Sequence, residues 1–206
     1  MPKRQKFKAG TGIATTLVDA AISAGGPTAA MDLMNPMAVG GEVAGLIPTH
    51  RECSIEITNT CSDYALCVPS VYVNSGSCAQ SLPLTIHPSS SGKALFTKTP
   101  NTARGAVGVF TYDLHDKSNE STEKIAVMFS VPYDFNLYSN WYAVGIFDKS
   151  TECNYDLYHK MYNNTDITFV RKNAGQGLSY KKHRVTILAS MSDTHQPELK
   201  VEVKDD

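Results

Sequence analysis

From Cys53 onward, apolar residues recur at alternate positions in short segments. Ser54-Ile55-Glu56-Ile57-Thr58 alternates, as do Val71-Tyr72-Val73, Leu84-Thr85-Ile86 and Leu199-Lys200-Val201-Glu202-Val203. A period of two places successive side chains on opposite faces of an extended chain, so each segment predicts a strand with one buried face. Residues 105–111 and 125–131 are apolar at both parities, which predicts strands covered on both faces. Pro, Gly, Asn and Ser separate these segments, without helical insertions. Many short strands joined by turn residues predict a mainly β chain folded as an antiparallel β-sandwich, with no internal repeat.

Before residue 50 the pattern differs. Ala, Gly and Met dominate, and β-branched alternation is absent. On a helical wheel of residues 12–24, Ile13, Ala14, Leu17, Val18 and Ala21 fall on one side, with Thr15, Thr16, Asp19 and Ser23 largely opposite. Gly25-Gly26-Pro27 ends this amphipathic helix. It reaches about 20 Å at 1.5 Å per residue, short of a hydrocarbon core of about 30 Å. A second stretch, 28–47, carries Met31, Met34 and Met37 but is interrupted by Pro36 and Gly40-Gly41. The alternative is that both pieces are surface helices packed on the sandwich. The expected organisation is thus a helical region at 1–50 followed by one sandwich domain at 51–206.

Length and charge narrow the class. A chain of 206 residues buries one substantial core, and a net charge of -1 supplies no global field toward nucleic acid or anionic lipid. Membrane affinity, where present, must come from local apolar and aromatic groups. No run of 18 or more apolar residues occurs, so hydropathy predicts no spanning helix. The basic head MPKRQKFK resembles the start of a signal peptide, but Thr11, Thr15, Thr16 and Asp19 make the following stretch too polar for one. The five cysteines form no CxxC pair and the six histidines are scattered, which disfavours a metal site. Bridges within Cys53–Cys78 and buried free thiols both remain open. Asn119-Glu120-Ser121 and Asn163-Asn164-Thr165 match glycosylation sequons and fit export. No nucleophile elbow, metal-ligand spacing or phosphate-cradling glycine loop occurs, so neither an enzyme nor a cofactor is expected.

The segment 129–142 carries the most information. Pro132, Asp134, Asn136, Ser139 and Asn140 form loops, yet Tyr133, Phe135, Leu137, Tyr138, Trp141 and Tyr142 are interleaved with them. A solvated loop has little use for that apolar area. Either the rings fold back over a sandwich end, or they are displayed as a membrane-interface loop. Tyrosine and tryptophan join an apolar body to a polar tip, and their faces attract quaternary ammonium at about 0.5–2 kcal/mol per ring. A second group follows at Tyr155, Tyr158 and Tyr162, for which core packing and display are both open.

The run IAVMFSVPYDFNLYSNWYAVGIF at 125–147 resembles the signature of the actinoporins, the sea-anemone cytolysins, and of their gastropod and fish relatives. The likeness continues through Ser91-Gly-Lys-Ala-Leu95, Arg104-Gly-Ala-Val-Gly-Val109, Tyr155-Asp-Leu-Tyr-His-Lys-Met-Tyr162 and Arg171-Lys-Asn-Ala-Gly-Gln-Gly177, and covers residues 50–206. The resemblance implies an actinoporin-like β-sandwich flanked by short α-helices, secreted in soluble form. It further implies binding to phosphocholine lipids (sphingomyelin or phosphatidylcholine) of a target membrane and assembly of a homo-oligomeric, cation-permeable pore, with no nucleic acid. Carried across position by position, the head-group site involves Ser75, Val107, Ser130, Pro132, Tyr138 and Tyr158, with Trp141 and Tyr142 supporting an aromatic platform. Leu137 stands where the anemone proteins usually carry tryptophan. His159 and Asn154 replace two family tyrosines, and the family's Arg-Gly-Asp tripeptide is missing.

These expectations define a mechanism. The 132–142 loop docks first and the sandwich stays folded. The N-terminal helix then tilts into the bilayer and lines a water-filled lumen with Thr15, Thr16, Asp19 and Ser23, the acidic residue favouring cations. The alternative is a non-lytic module that holds a lipid or glycan head group with the same aromatic cluster.

Overall fold

A computed structural model describes residues 50–206. The expected 12–24 helix, the 28–47 stretch and the four pore-lining residues lie outside the described residues. The described chain begins with β1 (Glu52–Asn59), β2 (Ala65–Ser75), β3 (Ser77–Gln80), β4 (Thr85–Ile86) and β5 (Ser90–Thr97). Next come β6 (Ala106–His115), β7 (Glu123–Val131), β8 (Trp141–Asp148) and helix α1 (Tyr155–Asn163). It closes with β9 (Phe169–Asn173), β10 (Leu178–Lys182), β11 (Val185–Met191) and β12 (Glu198–Asp205).

Two six-stranded sheets result, ordered β10-β11-β12-β1-β5-β3 and β4-β2-β6-β7-β8-β9. The expected sandwich is therefore present, with one exception to antiparallel pairing: β1 and β12 run parallel. A parallel pair needs a long crossover, and here the intervening chain supplies it. One α-helix, α1, flanks the sandwich among the described residues.

Strand sequence and burial agree. In β1 and β12 the buried residues Ile55, Ile57, Leu199, Val201 and Val203 alternate with polar ones, because the first sheet has a solvated outer face. The central strands β6, β7 and β8 do not alternate in burial. Their inner parity, including Phe110, Tyr112, Val127, Phe129, Val144 and Ile146, fills the core between the sheets. Their outer parity, Val107, Val109, Ala126, Met128, Ala143 and Phe147, packs with Leu157, Tyr158 and Met161 of α1. Across the core, Phe96 of the first sheet meets Phe129 of the second at 4.6 Å between ring centroids.

Bridging does not occur: all five cysteines are free. Cys53 and Cys78 both pair with Phe96 from opposite sides. Two strand spacings, about 10 Å, therefore separate them, beyond disulfide reach. Burial pushes the Cys61 thiol up to about 12 and raises Cys53 as well, so both are inert core thiols.

Candidate functional site

Four of the residues expected at the site share one row across the second sheet. Ser75 of β2 pairs with Val107 of β6, Val107 with Ser130 of β7, and Ser130 with Trp141 of β8. Directly paired residues face the same way, and Val107 belongs to the outer cluster, so the row lies on the outer face.

Ser75 reaches that row through an irregularity. Register shifts by one residue between Val73, opposite Gly108, and Ser75, opposite Val107. Regular pairing would instead set Asn74 opposite Val107 and turn Ser75 inward, opposite Ala106; the bulge at Asn74 prevents this. Gly76 at φ +97 follows, where a Cβ would sit 2.3 Å from the Thr97 carbonyl oxygen. The Ser75 hydroxyl donates to Gly105 O at 2.9 Å, so it braces the turn before β6. A Cβ on Gly105 would stand 1.9 Å from Val131 O, so glycine alone lets this turn approach the start of the 132–140 loop.

That loop is fixed at both ends. Arg51, 1% exposed, donates from Nε to the carbonyls of Pro132 and Tyr133, each at 3.1 Å, and from Nη1 to His50 O at 2.8 Å. Its guanidinium lies 5.3 Å from the Tyr133 ring centroid and 5.2 Å from that of Phe135, whose ring also lies 4.4 Å from His195. Burial lowers the Arg51 pKa, opposed by Tyr133 and Asp134. At the other end Asn140, fully buried, donates to Thr194 O at 2.8 Å and Asp193 Oδ1 at 3.3 Å. Within the loop, Asp134 Oδ1 accepts from Asn136 N at 2.8 Å, and Asp134 O accepts from Tyr138 N at 3.0 Å. The tip consequently displays Leu137, 71% exposed, and Tyr138, 60% exposed.

The aromatic residues of this segment therefore divide. Leu137 and Tyr138 are displayed, whereas Tyr133 and Phe135 fold back on Arg51. Tyr142 corrects the expectation of an interface ring: it is fully buried between the sheets, and its hydroxyl donates to the carbonyls of Gln176 and Ala189. The reason is strand parity, because Trp141 opens β8 on the outer face and its neighbour must point inward. Trp141 itself is half-buried, with the Arg171 guanidinium 4.3 Å from its ring centroid.

Tyr158 lies on the same outer face. Its ring is 6.3 Å from Tyr72 and 5.7 Å from Tyr162, and Tyr155 stands 6.4 Å away. Burial, followed by Tyr162, Tyr155 and Tyr72, pushes the Tyr158 phenol up to about 12. Asn154, which replaces a family tyrosine, caps α1: its Oδ1 accepts from Leu157 N at 3.1 Å. His159 is exposed and lies 5.5 Å from Tyr155. The spacing 155, 158, 162 was a helical signal, and Asn154 ahead of it an N-cap signal. Arg51 and Arg171 carried no such local mark.

The site is thus a two-sheet sandwich with an anchored, partly apolar loop beside a row of hydroxyls and rings. The model of the family described as sea anemone cytotoxic protein matches residues 20–202. Bryoporin of Physcomitrium patens is 30% identical over 162 residues, 79% of this chain and 88% of its own length. DELTA-alicitoxin-Pse1b of Phyllodiscus semoni is 41% identical over 100 residues, which span 46% of this chain but only 40% of the toxin. Conoporin-Cn1 of the gastropod Conus consors is 25% identical over 159 residues, 74% of this chain and 62% of its own. Among solved structures, the lipid binding protein Nakanori superposes with a TM-score of 0.57 at 12% identity over 74% of this chain and 70% of its own, a likeness of fold. The chain belongs to the sea anemone cytotoxic protein family, the actinoporin-like pore-forming cytolysins, whose action is not enzymatic.

Proposed function

We propose that this chain is exported, docks on phosphocholine head groups of a target membrane and assembles there into a cation-permeable pore. The observation that carries the docking step is the shared row of Ser75, Val107, Ser130 and Trp141 beside the displayed Leu137 and Tyr138. Leu137 and Tyr138 enter the interfacial layer, where an amphipathic ring and an apolar side chain are both stable. Pro132 and Tyr138 bound the head group from the loop side, and the cluster around the buried Tyr158, whose neighbour Tyr155 is exposed, offers ring faces to choline at about 0.5–2 kcal/mol per ring.

Pore formation follows from the sequence N-terminal to the sandwich. A single amphipathic helix cannot leave Thr15, Thr16, Asp19 and Ser23 against lipid, so several protomers must enclose a common lumen. Asp19 there favours cations. Dye release from sphingomyelin-containing vesicles tests both steps, comparing the intact chain with one lacking residues 1–25. Leakage from the intact chain alone supports the reading. Equal leakage from both rejects the helix as pore wall, and binding without leakage selects a non-lytic head-group module.

A further inference from the structure

Arg171 stands apart from the other cations of the second sheet. It lies on β9 opposite Ala143, on the outer face, and its guanidinium covers Trp141 at 4.3 Å. Among the described residues no carboxylate lies within ion-pair reach of it and no hydrogen-bond acceptor engages it. By contrast, Lys124, toward the other end of this face opposite Phe147, is paired with Asp113 at 3.6 Å, and Lys160 of α1 with Asp166 at 2.8 Å. A half-buried guanidinium presents five donors in a planar fork, and no described residue uses any of them.

Its neighbours are donors as well. Trp141 pairs with Ser130 on one side and Asn173 on the other, so all three face outward in one row. Neither the Ser130 hydroxyl, on a residue 5% exposed, nor the Asn173 amide bonds to protein among the described residues. About 10 Å, two strand spacings, separate Ser130 from β9, and the arginine bridges part of that gap by lying over the intervening indole. Ser75 adds little here, because its proton already goes to Gly105 O at 2.9 Å. The site thus collects a fixed positive charge, a hydroxyl and an amide, none of which engages a carboxylate among the described residues.

We propose that Arg171, held over Trp141, is the residue that binds the phosphoryl group of the lipid head group, with Ser130 and Asn173 as secondary donors. This rests on the head-group reading above and revises one part of it. The covered face of Trp141 serves an arginine, so choline is left to the rings of Tyr138 and Tyr158. Phosphate oxygens suit a guanidinium fork because two parallel N–H donors meet two acceptors at once. A lipid is the source favoured over the free ion, because Trp141 directly follows the loop that displays Leu137 and Tyr138.

Calorimetric titration of the full chain with phosphocholine, choline and inorganic phosphate tests this, alongside binding to phosphatidylcholine–sphingomyelin vesicles. The wild type is expected to bind phosphocholine roughly 10- to 100-fold more tightly than choline, the range for a charge-assisted hydrogen-bonded pair. Arg171→Gln should bring that ratio close to one with choline affinity unchanged, and Arg171→Lys should keep part of it as a point charge. A merely structural role would weaken both ligands together, which would overturn the assignment, as would a ratio untouched by Arg171→Gln. Inorganic phosphate binding as tightly as phosphocholine would overturn the lipid source. If the wild type binds neither ligand nor vesicles, the head-group reading itself fails and the arginine assignment falls with it.

Discussion

The outer faces of the two sheets make an instructive contrast. On the first sheet, Lys93, Glu56 and Lys200 stand side by side across β5, β1 and β12, a solvated row of alternating sign. On the second, the outer face is apolar under α1 and changes at its open end to Ser130, Trp141, Arg171 and Asn173. A sheet face loses its polar alternation where something covers it. Where the cover ends, the residues revert neither to a charge lattice nor to a core, and this is the surface proposed above to take a head group. Trp141 and Tyr142 condense the contrast into two adjacent residues, one offered to the outside and one enclosed between the sheets.

The sharpest way to break this contrast is to truncate each of that pair. Tyr142→Ala removes a fully buried ring and its hydroxyl bonds, and urea unfolding should show a loss of about 3–5 kcal/mol. Trp141→Ala should leave the unfolding midpoint near that of the wild type and reduce vesicle binding instead. Arg51→Met deletes the donors to Pro132 O and Tyr133 O beneath the loop, and stability should fall by about 2–3 kcal/mol. Vesicle affinity should fall with it, because the tip then loses its fixed base. Stable protein with full vesicle binding would refute the anchoring role of Arg51.

Gly105→Ala tests the joint beneath the row. The added methyl collides with Val131 O, and a loss of about 2 kcal/mol is expected in thermal unfolding. At the tip the effect should move from folding to binding. Leu137→Ala removes apolar area that is already 71% exposed, so its unfolding midpoint should not move. Affinity for vesicles should drop roughly tenfold, corresponding to about 1.5 kcal/mol of lost interfacial burial.

Alkaline pH probes the same burial without any substitution. Cys61 and Tyr158 have folded pKa values of about 12, above their ordinary values near 9 and 10. Between the ordinary and the folded value the unfolded chain has lost the proton that the folded chain keeps. Stability is therefore complete below about pH 9 and declines from there to about pH 12, at up to about 1.4 kcal/mol per pH unit for each group. Tyr158→Phe should lessen the slope above pH 10, to which Tyr112 and Tyr142, also raised by burial, still contribute, and an unchanged slope in denaturant titrations would show that Tyr158 is not buried as described.

Much of the fold was legible in the chain because burial obeys parity. Ile55 and Ile57, or Val201 and Val203, announce their strands by alternating with polar residues, and β6 and β7 announce double coverage by failing to alternate. The resemblance carried by residues 125–147 brought Ser75, Val107 and Ser130 together before any geometry was known. Periodicity alone did not resolve the aromatic segment, because parity assigns a face only once the first residue of a strand is known. β8 begins at Trp141, and that single fact sends Tyr142 inward.

The chain by itself determined the sandwich, the family and the apolar character of the 132–142 segment, since hydrophobic alternation and a dense motif are properties of neighbours in sequence. Tertiary structure alone decided which rings are displayed, why Ser75 faces outward and where Arg171 lies. Those outcomes depend on a one-residue bulge at Asn74, on the buried Arg51 reaching the carbonyls of residues 132 and 133, and on a guanidinium from β9 crossing to β8. Each joins residues distant in sequence, and no local pattern records a contact that exists only once the sheets have formed.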